Sequence, residues 1–301
     1  MPRRYDDLVR SGDLQGRIDA ALALLSPCRL CPRQCGVDRL AGEQGFCRTG
    51  RLARVASYGP HFGEERPLVG SGGSGTIFFS GCNLGCIYCQ NHDISHAAAG
   101  DDASPRDLAE MMVALQARGC HNINFVTPTH VVPQILEALP HAVKAGLHVP
   151  LVYNCGGYES IETLLLLEDV IDIYMPDAKY SDGAVAARCS DAPDYADRMF
   201  EAIDEMHRQV GDLRIDAAGR AVRGLLVRHL VLPNGQAGTS AIMAFLAALS
   251  THTYLNIMDQ YRPCHRAHTV EALARPPTRQ EYAGALEAAH AAGLHRLDER
   301  N

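Results

Sequence analysis

The sequence predicts an α/β fold in which a parallel sheet is wrapped by helices, preceded by a cysteine-rich segment. Three observations lead there. From residue 75 onward, six short apolar runs alternate with helical stretches, the pattern of strand–helix units that build parallel sheets. With 301 residues, 47% hydrophobic and 21% charged, the chain can bury the core of one barrel-like domain or of two small ones. Finally, seven of the eleven cysteines gather in two groups near the start of that alternation. The division that follows is a helix plus metal-binding segment over 1–74 and a strand–helix domain over 75–301.

Taken in order, DLQGRIDAALALLS (13–26) reads as a helix leading into the first cysteine group. Residues 28–74 are rich in Cys, Gly and Arg with little periodicity, so a loop-dominated segment is expected. GSGGSG (70–75) precedes a strand, whereas phosphate-cradling glycine loops follow one and open a helix, so it reads as a flexible turn. The predicted strands are 75–80, 122–127, 149–155, 171–176, 225–233 and 253–259. Between them lie helices, of which SPRDLAEMMVALQARG has Ser104 as N-cap, Pro105 in the first turn and Gly119 as a stop. DLRIDAAGRAVRGLL reads as a hairpin bent at Gly219 and inserted before the fifth strand. No internal repeat or low-complexity segment is found.

Charge and composition exclude several classes. A net charge of −7 without a long basic run argues against a nucleic-acid surface. The opening MPRRYDDLVRSGDLQG lacks the apolar core of a signal peptide, and no apolar stretch reaches membrane-spanning length. A cytoplasmic protein is expected, with no membrane partner. In that reducing setting the cysteines are not expected to form a disulfide framework, and their clustering favours metal ligation.

Cys82, Cys86 and Cys89 follow the first predicted strand with C-x3-C-x2-C spacing, at the strand end where parallel barrels keep their active sites. Three thiols are an incomplete ligand set. They fit either a zinc knuckle that borrows a fourth ligand, with His92 and His96 just downstream, or an iron–sulfur cluster with one iron left open. The amino-terminal group, Cys28, Cys31, Cys35 and Cys47, has C-x2-C-x3-C-x11-C spacing and is a closed set, suited to structural zinc or to a second, fully ligated cluster.

The stretch FFSGCNLGCIYCQN, with Tyr88 just before the last cysteine, resembles the radical S-adenosylmethionine (SAM) superfamily, and in its flanks the pyruvate formate-lyase activating enzyme-like branch. The likeness runs from about Cys28 to about Tyr261. It implies a partial (β/α)6 barrel and an oxidoreductase. In it, Cys82, Cys86 and Cys89 hold a [4Fe-4S] cluster, SAM chelates the open iron, and reductive cleavage of SAM starts hydrogen-atom abstraction. It also implies a low-potential electron donor, flavodoxin- or ferredoxin-like, and a protein or small-molecule substrate. Activases that abstract hydrogen from a glycine of a partner protein often insert a ferredoxin module just after the triad, whereas here the extra cysteines come before it.

By the same resemblance Tyr88 stacks near the adenine. Where the family carries a Gly-Gly-Glu segment for the SAM amino group, this chain has VTPTH (126–130), which leaves Thr127, Thr129 or backbone carbonyls as acceptors. His130 follows, as a helix-capping residue or a substrate contact. YNCGGYE (153–159) nominates Asn154 and Glu159, with Tyr153 where the family has an aspartate that helps hold a monovalent cation. MPDAKY (175–180) matches the activases' Asp-x-Lys, placing Asp177 near SAM and Lys179 on its carboxylate. VRHLVLP (227–233) nominates Arg228, and Gln260 and Tyr261 end the sixth strand. From a different class, an electron-transfer or binding protein with zinc or a cluster and no SAM chemistry remains the alternative.

Overall fold

The computed structural model describes residues 3–298. Its strands are β1 Ala53–His61, β2 Ser74–Phe79, β3 Asp101–Ala103, β4 Ile123–Val126, β5 Leu151–Cys155, β6 Ile173–Pro176, β7 Arg214–Ile215, β8 Ala221–Leu230, β9 Tyr254–Met258 and β10 Arg296–Leu297. Its helices are α1 Arg4–Ser11, α2 Asp13–Ala23, α3 Arg66–Val69, α4 His92–Ser95, α5 Pro105–Ala117, α6 Val132–Lys144, α7 Ile161–Leu166, α8 Gly183–Ser190, α9 Tyr195–Val210, α10 Thr239–Leu249 and α11 Arg279–Ala291.

β2, β4, β5, β6, β8 and β9 are the six expected strands, hydrogen-bonded in that order and all parallel, with β10 added beyond β9. The sheet runs from β10 at one edge to β3 at the other and does not close, the geometry of a partial barrel. The inserted hairpin forms as expected, with β7 antiparallel to β8 and Gly219 in the left-handed region at φ 77°. Ser104 caps α5: its hydroxyl accepts from Asp107 N–H, and its own N–H donates to the Asp107 carboxylate.

The segment before the barrel differs from expectation. Residues 28–74 are not loop throughout, because β1 extends the sheet antiparallel to β2, with a register irregularity between Val55 and Ser57. Gly59 and Pro60 in ARVASYGPH argue locally against a strand, yet pairing with β2 overrides them. The boundary at 74/75 thus falls inside β2, which is hydrogen-bonded to β1. The GSGGSG turn is tightly packed: a Cβ on Gly72 would lie 1.9 Å from the Gly119 carbonyl oxygen, and His121 Nε2 accepts from the N–H groups of Ser71 and Gly72.

Both sheet faces are apolar, which period-two alternation makes visible. Ile77, Phe79, Phe125, Tyr153, Val227 and Leu255 pack in the main core with the helices. Their strand neighbours Val152, Ile173, Met175 and Leu226 form a second cluster around Leu68 of α3. Continuing along those strands on the same side, the residues turn polar: Val152 gives way to Asn154, Met175 to Asp177 and Leu226 to Arg228. One end of this face is plugged by Leu68, and the carboxyl end is left for chemistry. No helix among the described residues is long and apolar enough to cross a membrane.

Candidate radical-chemistry site at the carboxyl end of the sheet

Beyond β2 the chain turns at Gly81 into the cysteine loop. Gly81 has φ 83°, and a Cβ there would stand 2.3 Å from the Cys47 carbonyl oxygen, so only glycine lets the amino-terminal segment pack this closely. Cys82, Cys86 and Cys89 then line one cavity with Asn91, Thr127, Asn154, Asp177, Lys179 and Arg228. Toward the mouth it widens into a cleft of about 400 Å³, walled by Tyr88, Gln90, Met258 and Gln260. None of the eleven cysteines, all among the described residues, is in a disulfide.

Among the described residues each triad sulfur has one hydrogen-bond partner: Leu84 N–H donates to Cys82 Sγ at 3.3 Å, Ser190 Oγ lies 3.0 Å from Cys86 Sγ and Ser95 Oγ lies 3.1 Å from Cys89 Sγ. Burial, with mutual repulsion adding, holds the Cys82 thiol protonated, and burial also raises that of Cys86. An iron–sulfur cluster would supply the positive charge that three neighbouring thiolates need. Three thiols that face one cavity fit a cubane, in which each thiolate holds a different iron. His92 stacks on His265 and the His96 ring is tilted against it, with ring centroids 4.8 Å apart in each pair.

Asn154, Asp177, Lys179 and Arg228, drawn from three strand ends, form one chain. Lys179 Nζ lies 2.6 Å from Asp177 Oδ2, Arg228 Nε 2.7 Å from Asp177 Oδ1, and Arg228 Nη2 donates to Asn154 Oδ1 at 2.6 Å. Burial opposes Asp177's charge, but the two cations outweigh it and hold its carboxyl below the usual range. Thr127 also faces the cavity, held at φ 61°, a strained conformation for a β-branched residue.

Several expected contacts lie elsewhere. Thr129 is buried and donates to Glu159 Oε1 at 2.7 Å, while Tyr153 donates to Glu159 Oε2 at 2.9 Å. Neither Thr129 nor Glu159 lines the cavity, so they build a support behind the sheet rather than a ligand contact. Tyr153, in the family's aspartate position, likewise points into the main core. His130 is also buried, with Nε2 2.8 Å from the Ser80 carbonyl oxygen, and burial pushes its pKa down to about 4. Tyr88 borders the cleft, but its hydroxyl lies 2.5 Å from Tyr180 Oη and its ring packs edge-on against Tyr180 and Tyr261. Gln260 lines the cleft; Tyr261 is buried and donates to the Leu273 carbonyl.

Sequence reasoning missed His61, the last residue of β1, and Glu64 in the β1–β2 connection, which both wall the cleft. Glu64 Oε2 lies 3.8 Å from Arg228 Nη1 and Oε1 lies 3.5 Å from His61 Nδ1. No local pattern in HFGEERP marks this role, because strand pairing alone carries the segment there. Cys155 also borders the cavity but is hydrogen-bonded to Glu159.

The amino-terminal cysteines Cys28, Cys31, Cys35 and Cys47 line a single narrow cavity of their own, with Phe46 N–H donating to Cys35 Sγ at 3.4 Å. Burial raises the Cys31 thiol to about 12. Arg33, within this group, ties it to the triad by donating to the carbonyls of Asn83 and Ser190, each at 2.9 Å.

A family model described as the radical SAM superfamily matches residues 76–214. The chain is 31% identical over 296 residues to an uncharacterised protein of Methanocaldococcus jannaschii, covering 95% of this chain and 81% of that one. Among solved structures, a radical SAM methyltransferase from Sphaerobacter thermophilus matches with a TM-score of 0.47 at 12% identity. That match spans 73% of this chain and 64% of the methyltransferase, less than two thirds of its length.

Proposed function

This chain belongs to the radical SAM superfamily, and from that premise we propose that it is an enzyme that abstracts a hydrogen atom from its substrate in the cleft above Cys82, Cys86 and Cys89. The observation that carries the reading is that the three thiols and the Lys179–Asp177–Arg228–Asn154 chain face one cavity at the carboxyl end of a parallel sheet. When bound, a [4Fe-4S] cluster and SAM supply reductive cleavage of the sulfonium to a 5′-deoxyadenosyl radical. The protein's part is to hold and orient. The three thiolates carry the cluster, Lys179 takes the SAM carboxylate, and Asp177 fixes Lys179 and Arg228 in place. Asn154, Thr127 and Tyr88 border the space left for the rest of SAM. The apolar cluster around Leu68 closes the opposite end of the barrel to water.

Within that chemistry we assign the chain to the activating-enzyme-like branch, because the residues which that resemblance selects on three strands meet in one hydrogen-bonded chain. The substrate, protein glycine or small molecule, reaches the site through the cleft of about 400 Å³. A flavodoxin- or ferredoxin-like donor supplies the electron. The four amino-terminal thiols form a second metal centre, zinc or cluster, whose Arg33 braces the triad loop.

Anaerobically reconstituted protein should bind at least about four irons and, once reduced, slowly form 5′-deoxyadenosine and methionine from SAM without substrate. Changing Cys82, Cys86 and Cys89 together to Ala should remove the triad's share of the iron, about four atoms, and abolish SAM cleavage. Full iron retention in that variant would falsify the ligand assignment. Cluster binding without any SAM cleavage would leave the electron-transfer alternative.

A further inference from the structure

Two serine side chains that the proposed chemistry does not use point at the cluster ligands. Ser190, the last residue of α8, is fully buried, and its hydroxyl is 3.0 Å from Cys86 Sγ. Ser95, at the end of α4, has its hydroxyl 3.1 Å from Cys89 Sγ. A thiolate bound to iron has no proton to give, so a hydrogen bond in either pair has the hydroxyl as its donor, the single proton going to sulfur and not to the hydroxyl's second neighbour.

Both hydroxyls are held. Ser190 Oγ also lies 2.9 Å from Tyr180 Oη, and its carbonyl accepts from Arg33 Nη2 at 2.9 Å. Ser95 Oγ lies 3.0 Å from His96 Nδ1. A second partner restricts hydroxyl rotation, and at Ser190 the backbone is clamped as well. The third sulfur, that of Cys82, meets among the described residues only the N–H of its own loop at Leu84.

We propose that Ser95 and Ser190 are positioning residues that raise the reduction potential of the cluster carried by Cys82, Cys86 and Cys89. The inference rests on the function proposed above. Reduction adds negative charge to a cluster and its thiolates in a buried site, which burial disfavours. A donor aimed at sulfur stabilises the more negative state and moves the potential upward. Hydroxyls at two of three ligands would bring a buried cluster within reach of a protein electron donor.

The test is a redox titration of the reconstituted protein, followed by electron paramagnetic resonance, for wild type, Ser190→Ala, Ser95→Ala, the double variant and Ser95→Thr. Each alanine variant should keep its iron and lose roughly tenfold in the one-electron reduction equilibrium, about 59 mV more negative, with the double variant lower still. Ser95→Thr, which keeps the hydroxyl, should titrate like wild type. Unchanged potentials in fully loaded alanine variants overturn the proposal. So does iron loss in both alanine variants, since the serines would then hold the cluster instead of tuning it. If Ser190→Ala does not fold, Ser95→Ala and Ser95→Thr decide. A wild type that binds no cluster refutes the proposed function itself and is distinguished by its iron content.

Discussion

Replacing Lys179 with alanine removes one cation from the cavity floor and asks whether that cation holds the SAM carboxylate. In the structure Nζ is 2.6 Å from Asp177 Oδ2, with 16% of the side chain exposed. Burial disfavours the ammonium, but the Asp177 carboxylate outweighs it and the Cys86 thiol adds to the effect, so Lys179 stays charged at neutral pH. An ammonium carries three donors, and one bond to Asp177 leaves capacity for a second carboxylate. A charge-assisted hydrogen bond contributes about 1.5–3 kcal/mol, so SAM affinity should fall roughly ten- to a hundredfold. Folding should suffer less than the ~3–5 kcal/mol of a fully broken buried pair, because Asp177 keeps Arg228 at 2.7 Å. Anaerobic titration calorimetry measures the affinity, and iron analysis should find the cluster intact, since Lys179 ligates no iron. Equal affinity in a fully loaded variant would show that Lys179 serves Asp177 alone and would sink the carboxylate assignment.

Two further outcomes are expected. Cys28→Ser with Cys31→Ser should remove either one zinc or a second cluster's iron while the triad's cluster survives; loss of neither element ends the metal-site reading. Glu159 tests pH dependence, because burial raises its pKa from 4.5 to about 7 despite hydrogen bonds from Thr129, Tyr153 and Cys155. The unfolded chain ionises near 4.5 while the folded one keeps its proton to about 7, so stability present below pH 4.5 is lost as pH rises to 7, in total about 3 kcal/mol. Glu159→Gln should flatten that fall in thermal melts between about pH 5 and 8; an unchanged slope would show that Glu159 is already ionised in the folded protein.

Sequence by itself determined the parts that are local in the chain. Six parallel strands were legible because apolar runs and helical periodicity repeat within short windows, and Ser104 announced its cap because a capping box spans four residues. The triad was legible because its three cysteines share one loop. Asn154, Asp177, Lys179 and Arg228 meet because each closes or flanks a strand, and parallel strands deliver such ends to one place.

Tertiary structure decided everything that depends on which distant segments meet. Thr129 and Glu159 were nominated by position near strand ends, yet they bond to each other and to Tyr153 behind the sheet. β1 was hidden by Gly59 and Pro60, since strand formation there is driven by pairing with β2 and not by intrinsic preference. Glu64 enters the cleft because the β1–β2 connection crosses beneath the barrel, and Ser190 reaches Cys86 across 104 residues because α8 ends beside the cysteine loop. Spacing records neighbours along the chain, while a hydrogen bond to a buried sulfur needs only proximity in space, so these partners emerge only once the sheet has brought its ends together.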